Sequence, residues 1–285
     1  MFVGCRRAVS TGVRPLKSAW GPKPSTATAE RKRSANRRRH RLLPRRPRRT
    51  EHRVATTRTG IEHWMVMGAL TAQNKTGVDL ALELARDEIS KANPELLCAH
   101  GAISFDPKSG IRLPFLGSAR IITLPDARVY LEDGREEQAR VAVLLLHYLL
   151  AASQFPTVLS GPRIDFRGLP GGMSYIGPFS GRTLFRLARE FGDDARLLRE
   201  AAHSLKPKFL EELGDVSFTV EALPQVPVEI IFWANDDEFP ARATFVYDAS
   251  IGAGLRTEDV VVLSEALVGE LIRAGRKLKE SRANA

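Results

Sequence analysis

Between residues 31 and 49 the chain reads Arg31-Lys32-Arg33, Arg37-Arg38-Arg39, Arg41 and Arg45-Arg46-Pro47-Arg48-Arg49, with no apolar periodicity between the charges. A segment of this kind repels itself and has no surface to bury, so residues 1–64 are expected to be disordered. The fold has to be built from the residues beyond it. Residues 1–64 hold 18 Lys and Arg against Glu30, Glu51 and Glu62, a balance of +15. The whole chain has 43 basic and 33 acidic residues, so the remainder keeps 25 and 30 and carries −5. The high overall pI therefore belongs to the leading segment, and the body is mildly acidic.

Three readings of that segment stand side by side. Its charge density suits an arm for nucleic acid or an acidic partner. Its Arg-rich, acid-poor composition suits an organelle transit peptide. It also matches a reading frame opened too early, with the start at Met65 or Met67, and the composition favours this last reading. Nucleic acid is a partner only if the segment is genuine.

The rest reads as one globular domain over residues 65–285, with a hydrophobic content of 43% that is ordinary for a chain able to form a core. Two cysteines, Cys5 and Cys98, exclude a disulfide framework and a cysteine-based zinc or iron–sulfur site within one chain. They fit a reducing, cytoplasmic setting. The most apolar stretch, residues 141–152 around His147, falls short of the roughly 18–20 residues that span a bilayer. It is expected to be a buried helix.

Apolar spacing predicts a first helix over residues 78–91, with Leu80, Leu84, Leu82 and Ile89 as its inward positions, ending before Pro94. Short β-type runs at 111–115, 119–124 and 128–131, separated by Gly117, Pro125-Asp126 and Asp133-Gly134, suggest an antiparallel meander. A helix over 136–152 comes after them, with Glu136 and Glu137 suited to its first turn. Residues 154–180, rich in Gly and Pro, read as a long irregular loop, which in a compact domain is usually functional or disordered. Helices over 182–191, closed by Gly192, and from an Asp193 or Asp194 cap to Leu205 come next. Strands around 216–220, 228–233 and 244–247 precede a last helix, with Thr257 as its N-cap and Val260, Leu263, Leu267 and Leu271 on one face. Grouped helices and antiparallel strands imply an α+β fold, a single domain after the leading segment.

Two places carry candidate chemistry. In the glycine-rich loop, Arg163 and Arg167 flank Asp165, and Gly171-Gly172 would let backbone N–H groups approach an anion. In the acidic turn, Asp236-Asp237-Glu238 could meet Asp248 across a hairpin and do acid–base work or hold a hard cation. Each has a plain structural counterpart: the arginines neutralise the acidic turn, and Asn235-Asp236 simply makes a turn between strands. His147 and Tyr175 complete the candidate set. A lone histidine in an apolar helix is more often a core residue with a hydrogen-bond partner than an acid–base group. His100 and His203 have no ligand at metal-helix spacing, and no nucleophile elbow, zinc-protease motif or Walker-type lysine is present.

The order Leu144-Leu145-Leu146-His147-Tyr148, Ser160-Gly161-Pro162-Arg163-Ile164-Asp165-Phe166-Arg167-Gly168-Leu169-Pro170-Gly171-Gly172, Leu223-Pro224-Gln225-Val226-Pro227, Trp233-Ala234-Asn235-Asp236-Asp237-Glu238-Phe239-Pro240 and Leu255-Arg256-Thr257-Glu258-Asp259 resembles the uncharacterised family known as domain of unknown function 3786. The resemblance runs over residues 80–271 and implies no assigned activity or cofactor. It does imply a link to anaerobic corrinoid and iron–sulfur metabolism, in which any cluster would sit on a partner. It also implies Glu where this chain has Gly168. Two functions are expected on these grounds: an accessory module that binds a small anionic ligand or a protein partner, or a carboxylate-based, Mg-dependent enzyme acting on a small anionic substrate.

Overall fold

A computed structural model describes residues 76–98, 102–152, 161–211 and 213–285, all within one compact unit, Arg58–Ala285. The expectations for residues 1–64, for Cys5 and His100 and for residues 154–160 lie outside the described residues.

Helix α1 (Gly77–Lys91) starts at a capping box: Asp79 N–H donates to Thr76 Oγ1, and Thr76 N–H donates to an Asp79 carboxylate oxygen. Only one of the two expected apolar pairs faces inward. Ile89 is buried and Leu82 packs on the core, whereas Leu80 and Leu84 are 54% and 57% exposed. A short helix α2 (Pro94–Leu97) comes next.

The meander is present and gains a strand that the sequence did not mark. Strands β1 (Ser104–Asp106), β2 (Gly110–Phe115), β3 (Ser118–Ile122) and β4 (Val129–Leu131) pair antiparallel in that order. Leu116 and Gly117 both take positive φ between β2 and β3, the conformation a two-residue hairpin loop requires. Burial holds the unusual Leu116 there, and its N–H donates to Ala222 O of the second sheet.

Helix α3 (Ala139–Ala151) is buried along most of its length. Glu136 and Glu137 do not enter its first turn, because arginines of the meander hold them outside it. Glu136 pairs with Arg128 and Arg86, while Glu137 pairs at 2.6 Å with Arg120, each side chain of that second pair being 8% exposed.

From Gly161 onward the glycine-rich stretch forms a strand, a 3₁₀ turn and a helix, which corrects the expectation of a long irregular loop over these residues. Strand β5 (Arg163–Asp165) runs into a 3₁₀ turn (Phe166–Gly168) and helix α4 (Gly172–Arg182). Phe166 organises this segment. Its ring stacks on Phe179 with centroids 3.9 Å apart, and its carbonyl lies where a Cβ on Gly172 would fall, 2.0 Å away. Thr183 breaks the chain into a second helix, α5 (Leu184–Phe191), and its hydroxyl donates to Phe179 O.

Asp194 caps α6 (Ala195–Ala202), which ends in a 3₁₀ turn (His203–Leu205) rather than continuing as α-helix. Strands β6 (Lys208–Phe209), β7 (Val216–Leu223), β8 (Val226–Trp233) and β9 (Arg242–Asp248) join β5 in a second antiparallel sheet of order β5-β9-β8-β7-β6. After a single turn, α7 (Ile251–Gly254), the long helix α8 (Thr257–Ala283) closes the fold. It buries Val260, Leu263, Leu267 and Leu271 as expected and packs against α3, α5 and α6. Its N-cap is Arg256, not Thr257, whose hydroxyl instead donates to Pro170 O at 2.6 Å. That bond ties the glycine-rich segment to the start of α8. The architecture is α+β, with one core shared by both sheets and the helices.

Candidate functional site

The glycine-rich segment and the acidic turn do not meet. In the register of β8 and β9, Trp233 pairs with Arg242 beside the turn, while Val228 pairs with Tyr247 at the far end, next to Asp248. Asp248 therefore lies about 20 Å along the strand from Asp236, Asp237 and Glu238. Asp236 is a turn-former: one carboxylate oxygen accepts the N–H groups of Glu238 and Phe239 at 2.8 and 2.6 Å. Asp237 and Glu238 are exposed.

Asp248 instead belongs with the start of β5. It accepts from Gly161 N–H at 3.1 Å and Ser250 N–H at 2.8 Å, and its residue pairs with Arg163 across the strands. The arginines do not neutralise the acidic turn. Arg163 pairs with Glu229, and Arg167 lies 3.4 Å from Asp165, which also accepts the Arg167 N–H. Gly171 takes φ +74° at the N-cap of α4, and Gly172 is needed for the close approach to Phe166, so both glycines have backbone roles.

His147 and Tyr175 do come together. They line one cleft of about 360 Å³, walled by α1, α3, α4 and the first turn of α8. His147 stands on the face of α3 that also presents Arg140 and Val143, and its side chain is 21% exposed. Tyr175 and Arg182 come from α4, and the Thr257–Pro170 bond fixes that helix relative to α8. Apolar Val78, Ala81, Val261 and Val262 supply much of the remaining surface.

Asp259 is the residue that sequence reasoning missed. Its side chain is 7% exposed, and its two carboxylate oxygens lie 3.0 and 3.1 Å from Nδ1 of His147. One of them also accepts Arg256 N–H at 3.2 Å, which caps the helix. A buried carboxylate needs such partners, because desolvation alone would cost several kcal/mol, on the order of 2–7 even for an uncharged polar group. The available signal was the charged run Arg256-Thr257-Glu258-Asp259 at the head of an otherwise apolar helix.

Among the described residues the cleft carries an excess of positive charge. Arg140 faces Glu265 at 3.4 Å and Asp259 faces His147. That leaves Arg182 and Arg256, neither ion-paired among the described residues, against the single carboxylate of Glu258. Tyr148, beside His147 in sequence, faces away. Its hydroxyl donates to Pro224 O at 2.8 Å, and burial pushes its ionisation well above the usual tyrosine range. Among the described residues, no three or more His, Cys, Asp or Glu side chains gather where they could hold a metal ion, and no helix is long and apolar enough to cross a membrane.

A family model described as domain of unknown function DUF3786 matches residues 93–270, more than half of the chain. The match includes His147, Tyr175, Arg182, Arg256 and Asp259, and leaves out the α1 wall of the cleft. No curated protein and no solved structure matches the chain.

Proposed function

The chain belongs to the DUF3786 family, and from that premise we propose that it binds a small anionic molecule in the cleft of His147, Tyr175, Arg182 and Arg256. The observation that carries this reading is the pair of guanidinium groups without a carboxylate partner among the described residues, set beside an apolar wall in a concave site. Arginine forks in such a place suit carboxylate or phosphate, and the apolar wall suits a short carbon body.

This reading keeps the expectation of an anion-binding accessory module and moves its site. Arg163, Asp165, Arg167 and Asp248 are tied into the strands, and Gly171 and Gly172 into the backbone. The Mg-dependent alternative rested on Asp236, Asp237, Glu238 and Asp248 converging, and the register of β8 and β9 separates them. We place the protein in the cytoplasm, in keeping with its cysteine-poor sequence and the free thiol of Cys98. The ligand's context is the corrinoid and iron–sulfur metabolism that the family resemblance implies, with any cluster held by a partner protein.

The test is thermal melting with pyrophosphate and with malonate. Saturation at about 100 times Kd should add about 2.7 kcal/mol of stability. The double variant Arg182→Ala, Arg256→Ala should lose that gain while still melting cooperatively. An equal gain in the double variant, or none with either anion, refutes the reading.

A further inference from the structure

His147 has one nitrogen engaged and one open. Nδ1 faces the carboxylate of Asp259, and an ionised carboxylate can only accept, so Nδ1 carries the proton. Nε2 is then the lone-pair nitrogen of the neutral ring. It makes no hydrogen bond among the described residues, and it is not among the buried polar atoms lacking a partner, which are Arg86 Nε and Gln225 Oε1. It is therefore open to the cleft that His147 lines.

A stability role accounts poorly for this pair. The helix around His147 is apolar, and Asp259 opens a helix whose next inward residues are Val260, Val261 and Leu263. Replacing a buried polar pair with well-packed apolar side chains is often neutral or stabilising. A histidine with its Nδ1–H anchored and its Nε2 open is instead the arrangement in which a carboxylate stabilises the imidazolium formed when Nε2 takes a proton.

We propose that His147 is the acid–base group of this cleft, with Nε2 taking a proton from an anionic molecule bound beside Arg182 and Arg256, and Asp259 acting as its positioning residue. The inference rests on the anion site proposed above and adds an activity to it. In the step, an O–H or C–H bond of the bound molecule breaks, its electron pair stays on that molecule, and an Nε2–H bond forms. The imidazolium charge faces Asp259, and the negative charge left behind faces the guanidiniums. Among the described residues, the charged and titratable groups around the ring are Asp259, Glu258 and Arg256 at the head of α8, Arg140 on α3, and Tyr175 and Arg182 on α4. From α1 the cleft receives only Gly77, Val78 and Ala81, none of which titrates.

Diethyl pyrocarbonate, which acylates neutral imidazole, tests this on the full chain without a known substrate. Mass spectrometry should show carbethoxylation of His147 in the folded protein, at a rate that follows a single deprotonation. Asp259→Asn removes the carboxylate that faces Nδ1, so the pH profile of the reaction should change. Pyrophosphate should slow the reaction at least several-fold, and this protection should vanish in Arg182→Ala, Arg256→Ala. If His147 stays unmodified in the folded chain, or Asp259→Asn leaves the profile unmoved, the acid–base inference is overturned, even where pyrophosphate still raises the melting temperature. If His147 reacts as expected but pyrophosphate neither protects nor stabilises, the anion reading is overturned and the substrate class goes with it.

Discussion

Asp259 holds His147 through Nδ1 at 3.0 Å across 112 positions of sequence, and the same carboxylate accepts the Arg256 N–H that opens α8. One side chain thus orients a ring on α3 and caps the first turn of another helix. Whatever displaces the head of α8 must also turn His147.

That coupling predicts a contrast between single and double variants. Asp259→Ala leaves the imidazole without its partner and the helix without its cap. The expected loss is about 1–3 kcal/mol in urea unfolding. His147→Leu combined with Asp259→Val exchanges the pair for apolar groups, so most of the loss should be recovered. If the double variant is no more stable than Asp259→Ala, the pair is there for stability.

The pair of Arg120 and Glu137 should behave differently. Both side chains are almost fully covered, and Arg120 also donates to Ser118 Oγ and lies 5.2 Å above the Phe115 ring. Glu137→Ala strands a buried guanidinium between the meander and α3. The expected loss is about 3–5 kcal/mol, measured by chemical denaturation, with anion binding intact at whatever temperature the variant remains folded.

How much of this was legible in the sequence depended on the range of the interaction. Strand alternation around Val216, Phe218 and Val220 and the stripe from Val260 to Leu271 are local signals, and both elements stand where they were read. His147 was legible as an anomaly, a polar ring in an apolar helix. Its partner was not, because the contact exists only once α3 and α8 pack. The glycine-rich segment failed for another reason. Gly171, Gly172 and Pro178 look like breakers, yet Gly171 supplies the positive φ at the start of α4 and Gly172 fits against the Phe166 carbonyl. The Glu136 and Glu137 misreading is of the same kind as the Asp259 omission. Acidic residues before a helix suit its dipole, but here they pair with the arginines that the meander sets beside them.

Gly172→Ala should accordingly be severe. A methyl group 2.0 Å from the Phe166 carbonyl cannot be accommodated without shifting backbone, so a loss of about 2–3 kcal/mol or more is expected. Because the Phe166–Phe179 stack and α4 would move together, Tyr175 and Arg182 should leave the cleft and pyrophosphate stabilisation should disappear. Gly171→Ala provides the comparison. Nothing lies near its Cβ, and only the positive φ opposes it, at about 1 kcal/mol.

The acidic turn separates two adjacent aspartates in the same way. Asp236→Ala removes the acceptor for two backbone N–H groups and should cost about 1 kcal/mol of stability. Asp237→Ala, exposed and outside that turn's hydrogen bonding, should leave both melting and anion stabilisation unchanged within about 0.5 kcal/mol. Loss of binding in Asp237→Ala would return the turn to the site.

A pH dependence arises from the clamp between α5 and α8. Burial pushes the Glu190 carboxyl up, but the hydrogen bonds and charges of Lys279 and Arg276 more than offset this and hold it below its ordinary value of 4.5. A carboxyl depressed in the folded state binds protons more weakly there than in the unfolded chain. Its contribution is therefore complete above the unfolded value and is lost as the pH falls through and below it. Melting temperature should drop on acidification below about pH 5, and the drop should be shallower in Arg276→Gln, Lys279→Gln, which at neutral pH melts slightly lower than the parent. Since both cations are well exposed, added salt should shrink the difference between the two curves. Parallel curves for the variant and the parent would show that the clamp does not contribute to acid sensitivity.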